Sequence, residues 1–441
     1  MNDRKGFGSN FGFLMAAVGS AVGLGNIWGF PNKMGANGGF PFLILYLALA
    51  LCCGVIIMLG ELALGRKTGH GAVGAYQSIS KRFKWLGWLG IAAAALIFSF
   101  YSALGGYCLR YVVVNFGNLI GAEFGTNGVG GADVFQGLLS QPDVSIAFAL
   151  AFMLITMLVV MCGVGGGIER VCSVGMPALF FILIICIIRS CTLPGAADGL
   201  KYMFVPGWAV ANGIIDEAPG FWRVLTAAGG QMFFSLSLGA GVMITYGSYL
   251  DKKQDLGKST MIIVGMDTVV ALMAGLCVIP GRFALDPNGA LGGPELLFIT
   301  MQNVFDKMGP AGPVFGILFY LLVFFAAISS SISMLEVIVA HFCDKAREKG
   351  KGDRRKLYLS LNILFLLLQF IQFFLHFHMP YLIFPVLFFI LYTAFPTRTF
   401  SVYLLLPALN LLNPIFFLTY EIHKLHNTFD VIIHKQQIFI L

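Results

Sequence analysis

Gly19-Ser20-Ala21-Val22-Gly23-Leu24-Gly25-Asn26 lies in the middle of an apolar segment running from about residue 11 to residue 34. That segment is long enough to cross a bilayer. Its centre is nevertheless a poor continuous helix, because Gly19, Gly23 and Gly25 each weaken helix and Asn26 is polar at membrane depth. Unwound backbone inside a membrane is tolerated only where protein or a water-filled cavity meets the freed N–H and C=O groups. Either the small residues serve close helix packing, or the helix is deliberately broken at a binding site. A second stretch favours the break: Ser235-Leu236-Ser237-Leu238-Gly239-Ala240-Gly241 interrupts another apolar segment, roughly 222–249. Two glycine-interrupted spans in corresponding halves of a polytopic chain point to a transporter's central site.

Working outward, the 441 residues are 58% hydrophobic and 11% charged, with mean hydropathy +0.84. Such a chain is an integral membrane protein, all-α in class, and excludes a soluble domain. The nine cysteines form no CxxC pair, so neither a disulfide framework nor a zinc site is expected. The first apolar segment lacks a cleavable signal pattern and is expected to remain as the first span. The net charge of +7 reflects basic loops on one membrane face, not a nucleic-acid surface. Apolar spans fall near 10–34, 40–64, 87–117, 144–163, 170–190, 222–249, 259–283, 311–342, 357–376, 380–396 and 400–419, about eleven transmembrane helices.

The loops set the orientation. Loops 65–86, 250–258 and 343–356 are rich in Lys and Arg, whereas loop 118–143 carries Glu123, Asp133 and Asp143 and no basic residue. The basic loops and the N-terminus, with Arg4 and Lys5, are therefore cytoplasmic, in a multi-pass protein of the cell's inner (plasma) membrane. The Gly- and Pro-rich loops 191–221 and 284–310 fall outside and are expected to hold short helices. Five spans precede residue 200 and five follow to about residue 396, and a broken span opens each group. An odd number of spans in each group gives the halves opposite orientation, the 5+5 inverted repeat with helices 1 and 6 broken at the midplane.

Gly23-Leu24-Gly25-Asn26-Ile27-Trp28-Gly29-Phe30-Pro31, followed by Asn37-Gly38-Gly39, resembles the first helix of the neurotransmitter:sodium symporter family. Further resemblances run in order: Glu61-Leu62-Ala63-Leu64-Gly65-Arg66, Phe100-Tyr101-Ser102 with Gly105-Gly106, Gln231 to Gly239 with Thr245-Tyr246-Gly247-Ser248-Tyr249, and Phe325-Ala326-Ala327-Ile328-Ser329-Ser330-Ser331. The chain is similar to bacterial leucine, tyrosine and tryptophan transporters. The resemblance implies a bundle rocking against a scaffold, and coupling of sodium to uptake of amino acids or biogenic amines.

An amino acid is a zwitterion, and burying its carboxylate needs donors and positive potential. The break in span one offers backbone N–H groups around Leu24 and Gly25 at a half-helix N-terminus. Tyr101 matches the family tyrosine that also meets the carboxylate; on its residue type alone it is a belt or core tyrosine. The resemblance takes the ammonium to carbonyls of Ala21, Phe234 and Ser235. It implies two sodium sites. The first comprises the Ala21 carbonyl, the Asn26 side chain, Ser235 and Asp267, with the substrate carboxylate as a further ligand. Ion and substrate then complete each other's site, which is a physical basis for coupling. The second comprises carbonyls of Gly19, Val22 and Ala326 and hydroxyls of Ser329 and Ser330; small residues for helix packing are the alternative for these serines.

Asp267 lies inside span seven with no basic residue before Arg282. An intramembrane carboxylate is functional by default; a protonated structural Asp is the alternative. Chloride-dependent relatives place chloride beside the first sodium site. Asp267 supplies that charge itself, so transport is expected to need no chloride, with proton exchange at Asp267 left open. Tyr46 and Ser235 match other members of the chloride-site neighbourhood. Ile97, Phe234, Ser237, Ala240, Ser330 and Met334 match the pocket that sets side-chain selectivity. The small Ala240, and the absence of a fixed charge, favour a neutral and fairly large substrate, tyrosine or tryptophan before leucine or methionine.

Gly29 departs from the pattern, standing where the family carries an outer-gate arginine, and spans nine to eleven contain no Asp or Glu. Closure is then expected to rest on Tyr101 and Phe234. Arg4 and Asp344 match the inner-gate pair, with Phe7 near the usual tryptophan. All 54 glycines lie within residues 1–352, and five of the seven histidines (376, 378, 423, 426 and 434) fall in the tail. We expect a transporter core over 1–356 and a shifted frame or diverged end over 357–441. A membrane enzyme is disfavoured, since no HExxH is present and Gly163–Gly167 lacks a phosphate-loop lysine. A channel is disfavoured by the two half-helices. A sodium-dependent sensor without transport stays open, as does the oligomeric state.

Overall fold

Val22 is where the first span stops being a helix. The computed structural model describes residues 7–126, 128–251, 253–286 and 295–348, all within one compact unit, Met1–Phe373. Helix α1, Asn10–Ala21, starts where the Ser9 hydroxyl accepts from the Gly12 N–H at 2.9 Å, and ends where Val22 turns extended, with φ −71° and ψ 93°. Chain direction is recovered in α2, Gly25–Ala36, whose first turn is π-helical, and the two halves are bent by 42°. The expected break is therefore real, and it lies at residues 22–24.

The remaining helices follow the expected spans. They are α3 (Phe40–Thr68), α4 (Ala72–Ile79), α5 (Lys81–Ile120), α6 (Gly131–Ser140), α7 (Pro142–Met161), α8 (Val164–Cys191), α9 (Ala196–Phe204), α10 (Trp208–Ala211), α11 (Phe221–Ser235), α12 (Val242–Gly247), α13 (Leu256–Leu285), α14 (Met301–Asp306) and α15 (Gly312–Glu348). No strand occurs among the described residues. Six of these helices are long and apolar enough to cross a membrane, and the bent pair α1–α2 adds a seventh. Helices α11 and α12 are the halves of span six, each too short to cross alone. Spans nine to eleven and the expected tail lie outside the described residues. The short α9, α10 and α14 occupy the loops in which short helices were expected, and α6 lies in loop 118–143, where none was.

Local chemistry explains the boundaries. Helix α3 ends at Gly69, whose φ of 65° is left-handed, with Arg66 and Lys67 in the last turn opposite the negative dipole end. Helix α13 is capped by Asp255, whose carboxylate accepts from the Lys258 N–H at 3.0 Å. Small residues set the approach of α5 to α7, because a Cβ on Gly105 would fall 2.3 Å from the Phe152 ring and one on Gly106 2.6 Å from the Ala149 nitrogen.

The distribution of polarity is that of a membrane protein. Ile56 and Val174, each 70% exposed, point outward, while Asn26, Gln231, Ser235, Asp267, Ser331 and Glu336 are fully buried. A soluble core would exclude such groups unless each found a partner. Asn26, Gln231, Ser235 and Asp267 gather around the two interrupted helices.

Candidate functional site

Helix α11 ends at Ser235, and residues 236–241 turn before α12 begins. Gly239 and Gly241 take φ of 80° and 74°, which only glycine adopts without cost. Ser237 takes φ of 53°, unlike any other described non-glycine residue. That conformation costs roughly 1–2 kcal/mol, and the Ser237 hydroxyl holds it by donating to the Ser20 carbonyl at 3.0 Å. The two breaks are thus tied to each other directly.

Asp267 of α13 joins them a second time. The Asn26 side-chain amide donates to its main-chain carbonyl at 2.9 Å and to its carboxylate at 2.8 Å. The Ser235 hydroxyl donates to the same carboxylate at 2.9 Å, and the Tyr46 hydroxyl at 3.2 Å. All four residues are buried. The Asn26 side-chain oxygen in turn accepts from the Gly23 N–H at 3.1 Å. Three of the residues expected at the first sodium site therefore converge. Ala21, the fourth, closes α1 beside them and is buried, so its carbonyl stands at the negative end of the half-helix.

The second expected set also assembles. The Ser329 hydroxyl donates to the Ala326 carbonyl at 3.0 Å and reaches the Val22 carbonyl at 3.5 Å. A Cβ on Gly19 would lie 3.3 Å from Ser329, which puts Gly19 against the same serine. The Ser330 hydroxyl donates to the Ser20 carbonyl at 3.2 Å. Oxygens of this kind suit a hard monovalent cation.

The Tyr101 hydroxyl and Ser330 both stand against Gly23 in the first break, where an added Cβ would lie 3.2 Å from the tyrosine oxygen. The Tyr101 ring stands 6.2 Å from that of Phe234, at an interplanar angle of 60°. Phe234 also packs on Gly25, where an added Cβ would approach its ring to 3.2 Å. Ile97 sits four residues before Tyr101 on α5, and Met334 four after Ser330 on α15, so each shares a face with a pocket residue. Ala240 is buried with its backbone against Gly90.

Of the expected inner-gate pair, Arg4 lies outside the described residues. Asp344 accepts from the Gly71 N–H at 3.0 Å and stands 3.9 Å from His70. Phe7 packs edge-on against Phe13 and Tyr246, at 5.4 and 5.7 Å between ring centroids.

Four residues were missed by sequence reasoning. Glu61 Oε1 accepts from the Gly239 N–H at 2.8 Å, bracing the break in span six. Gln231 donates to the Gly25 carbonyl at 2.6 Å, bracing the other. Glu169 accepts from the Gly8 N–H at 2.7 Å and the Ser9 hydroxyl at 2.9 Å, holding the start of α1. The Ser20 carbonyl collects two hydroxyls. Glu61 and Gln231 carried a usable signal, being polar at membrane depth; Glu169 at a span end and a backbone carbonyl carried none.

The sequence model of the Sodium:neurotransmitter symporter family matches residues 4–127 and 131–404, reaching beyond Lys356. An uncharacterized sodium-dependent transporter of Bacillus subtilis, YhdH, is 40% identical over 353 residues, covering 79% of this chain and 73% of its own. Another from Methanocaldococcus jannaschii is 31% identical over 388 residues, covering 83% and 74%. The crystal structure of MhsT in complex with L-phenylalanine is similar at a TM-score of 0.71 and 37% identity, over 83% of this chain and 80% of that one. With its two broken helices and the polar groups they gather, the chain belongs to the sodium:neurotransmitter symporter family.

Proposed function

We propose that the protein couples sodium to the uptake of a neutral amino acid by alternating access, without need of chloride. The observation that carries this is the buried Asp267 carboxylate, held by Asn26 and Ser235 from the two broken spans. A fixed negative charge there offsets sodium's positive charge in a low-dielectric setting, the office a chloride ion would otherwise fill. Sodium at the first site is held by Ala21, Asn26, Ser235, Asp267 and the substrate carboxylate. Sodium at the second is held by Gly19, Val22, Ala326, Ser329 and Ser330. The substrate carboxylate meets the Leu24 and Gly25 amides and Tyr101, and the ammonium meets carbonyls at the ends of α1 and α11.

The substrate is large and apolar, aromatic before aliphatic. Ala240 gives the pocket a small wall, Phe234 and Tyr101 offer ring faces, and the related MhsT was crystallised with L-phenylalanine. Selectivity among such side chains is shallow, since one methylene is worth about 1–3 kcal/mol. The basic loops support a cytoplasmic N-terminus in the plasma membrane.

The test is uptake of labelled tyrosine, tryptophan, phenylalanine and leucine into proteoliposomes under an inward sodium gradient, with chloride replaced by gluconate. Sodium-dependent accumulation that ignores gluconate is the expected result. Uptake abolished by gluconate would remove the role given to Asp267. Sodium-dependent binding without accumulation would make the protein a sensor.

A further inference from the structure

Cys186 of α8, Cys277 of α13, Met301 of α14 and Met308 just beyond that helix line one cavity of about 10 Å³. That is about the room one water molecule or one small ion needs. Cysteine and methionine are ordinary core residues, and their burial alone says nothing. Here, however, four sulfur-bearing side chains from three parts of the chain come to one point. Ser190 stands four residues after Cys186 on α8, and Gly281 four after Cys277 on α13, so each pair shares a helix face. A Cβ on Gly281 would lie 3.0 Å from the Ser190 hydroxyl, so the two faces meet.

A second observation points to a ligand. Ser190 lines the same cavity, is 4% exposed, and its hydroxyl has no hydrogen-bond partner. A buried water there would need several polar partners. Only Ser190 and Arg189 are polar among the residues around the cavity, the rest being valine, phenylalanine and the four sulfur side chains. Among the described residues no carboxylate lines it, so a hard cation finds no suitable oxygen. A structural zinc wants more thiolates or imidazoles than two cysteines supply, and no cluster of three or more His, Cys, Asp and Glu suited to a metal occurs among the described residues. Thiolate and thioether sulfur together suit Cu(I).

We infer that Cys186, Cys277, Met301 and Met308 form a binding site for Cu(I). The two thiolates are the principal ligands, and the thioethers complete the coordination. As each Cu–S(thiolate) bond forms, the S–H bond of that cysteine breaks and its proton passes to the buffer; copper stays Cu(I) and nothing is oxidised. Two thiolates and one Cu(I) carry one net negative charge, which the positive charge of Arg189 beside the cavity offsets. The Ser190 hydroxyl then gains an acceptor in a thiolate sulfur. Met308 is partly exposed while Cys186, Cys277 and Met301 are buried, so Met308 marks the way in. The site shares no residue with the groups gathered at the two breaks, and a bound ion joins α8 and α13 to the α14 segment.

The experiment titrates the purified full-length protein, under anaerobic conditions, with Cu(I) buffered by bathocuproine disulfonate. Wild type is compared with Cys186→Ser, Cys277→Ser, Met301→Leu and Cys191→Ser. Cys191 is the control, because its thiol donates to the Leu276 carbonyl at 3.7 Å and it does not line the cavity. Loss of either thiolate should weaken Cu(I) binding at least about tenfold, the lower end of what even an outer partner of a metal site costs. Met301→Leu should weaken it less, and Cys191→Ser should bind as wild type does. Cu(I) should raise the melting temperature of wild type and Cys191→Ser but not of the other two serine variants. The copper X-ray absorption spectrum of wild type, which needs no variant, should show sulfur neighbours only. Wild type that withdraws no copper from the chelator overturns the inference. Binding that survives both Cys186→Ser and Cys277→Ser overturns it, since other thiols then hold the ion. Nitrogen or oxygen neighbours in the spectrum overturn it as well, and so does a Cys186–Cys277 disulfide in peptides of the protein isolated without reductant.

Discussion

Asn26 and Asp267 are joined by two hydrogen bonds, at 2.9 Å to the main chain and 2.8 Å to the side chain, so the broken first span is fastened to α13 at its polar centre. The pair lies 241 residues apart in sequence. Replacing Asp267 by Asn preserves size and removes the charge. Sodium would then lack a fixed counter-charge, and uptake in gluconate should fall at least about tenfold, or 1.4 kcal/mol. Adding chloride should restore part of it, because a mobile anion can occupy the vacated role. Asp267→Asn transport that is undiminished in gluconate would refute the assignment.

Glu61 braces the other break through the Gly239 N–H. Glu61→Ala leaves that amide unmet, at a cost of about 1–3 kcal/mol. Thermal unfolding of the purified protein should come at a lower temperature, and tryptophan affinity should weaken with it. Glu61→Gln keeps an acceptor at the same place and should recover most of both. If Gln proves as damaging as Ala, the carboxylate charge rather than the hydrogen bond is what matters.

Glu169 holds the entry to α1 through the Gly8 N–H and the Ser9 hydroxyl, and Ser9 is itself the cap of that helix. Cys172, three residues on, is buried against Gly19. Releasing the start of α1 should open this side of the protein locally. Glu169→Ala should therefore raise the rate at which a membrane-permeant maleimide alkylates Cys172, read by mass spectrometry of that peptide. Sodium should slow the reaction if Gly19 lines the second ion site, as proposed. An unaltered rate would show that the contact does not hold this side of the protein shut.

Gly65 sets the distance between α3 and α12. A Cβ there would lie 1.9 Å from the Ile244 carbonyl oxygen, a backbone atom that cannot swing aside. Gly65→Ala should destabilise by about 1–3 kcal/mol, as overpacking does. Gly60, five residues earlier on the same helix, has nothing within 4 Å. Gly60→Ala should be neutral or slightly stabilising, since alanine favours helix over glycine by about 0.5–1 kcal/mol. The difference between the two melting temperatures is the measurement, and equal values would contradict the packing described.

Much of the site was legible because membrane depth makes polarity conspicuous. Asp267, Asn26 and the glycines of both breaks stand out against apolar neighbours, and the ordered motifs around them gave Tyr101 and the Ser329–Ser330 pair their places. Glu61 and Gln231 were just as visible, yet the sequence does not show which main-chain groups the breaks leave to be met. The match of the symporter family runs to residue 404.

By itself the sequence determined what local chemistry determines. Hydropathy set the spans, and glycine at two points set where helix would fail, because each depends only on neighbours along the chain. Tertiary structure alone decided which groups meet across the breaks: Asp267 with Asn26, Ser235 and Tyr46, and the Ser20 carbonyl with Ser237 and Ser330. Each of these depends on how helices distant in sequence pack. That packing is governed by atomic distances at close-approach glycines such as Gly65 and Gly105, to which a pattern of residue types is blind.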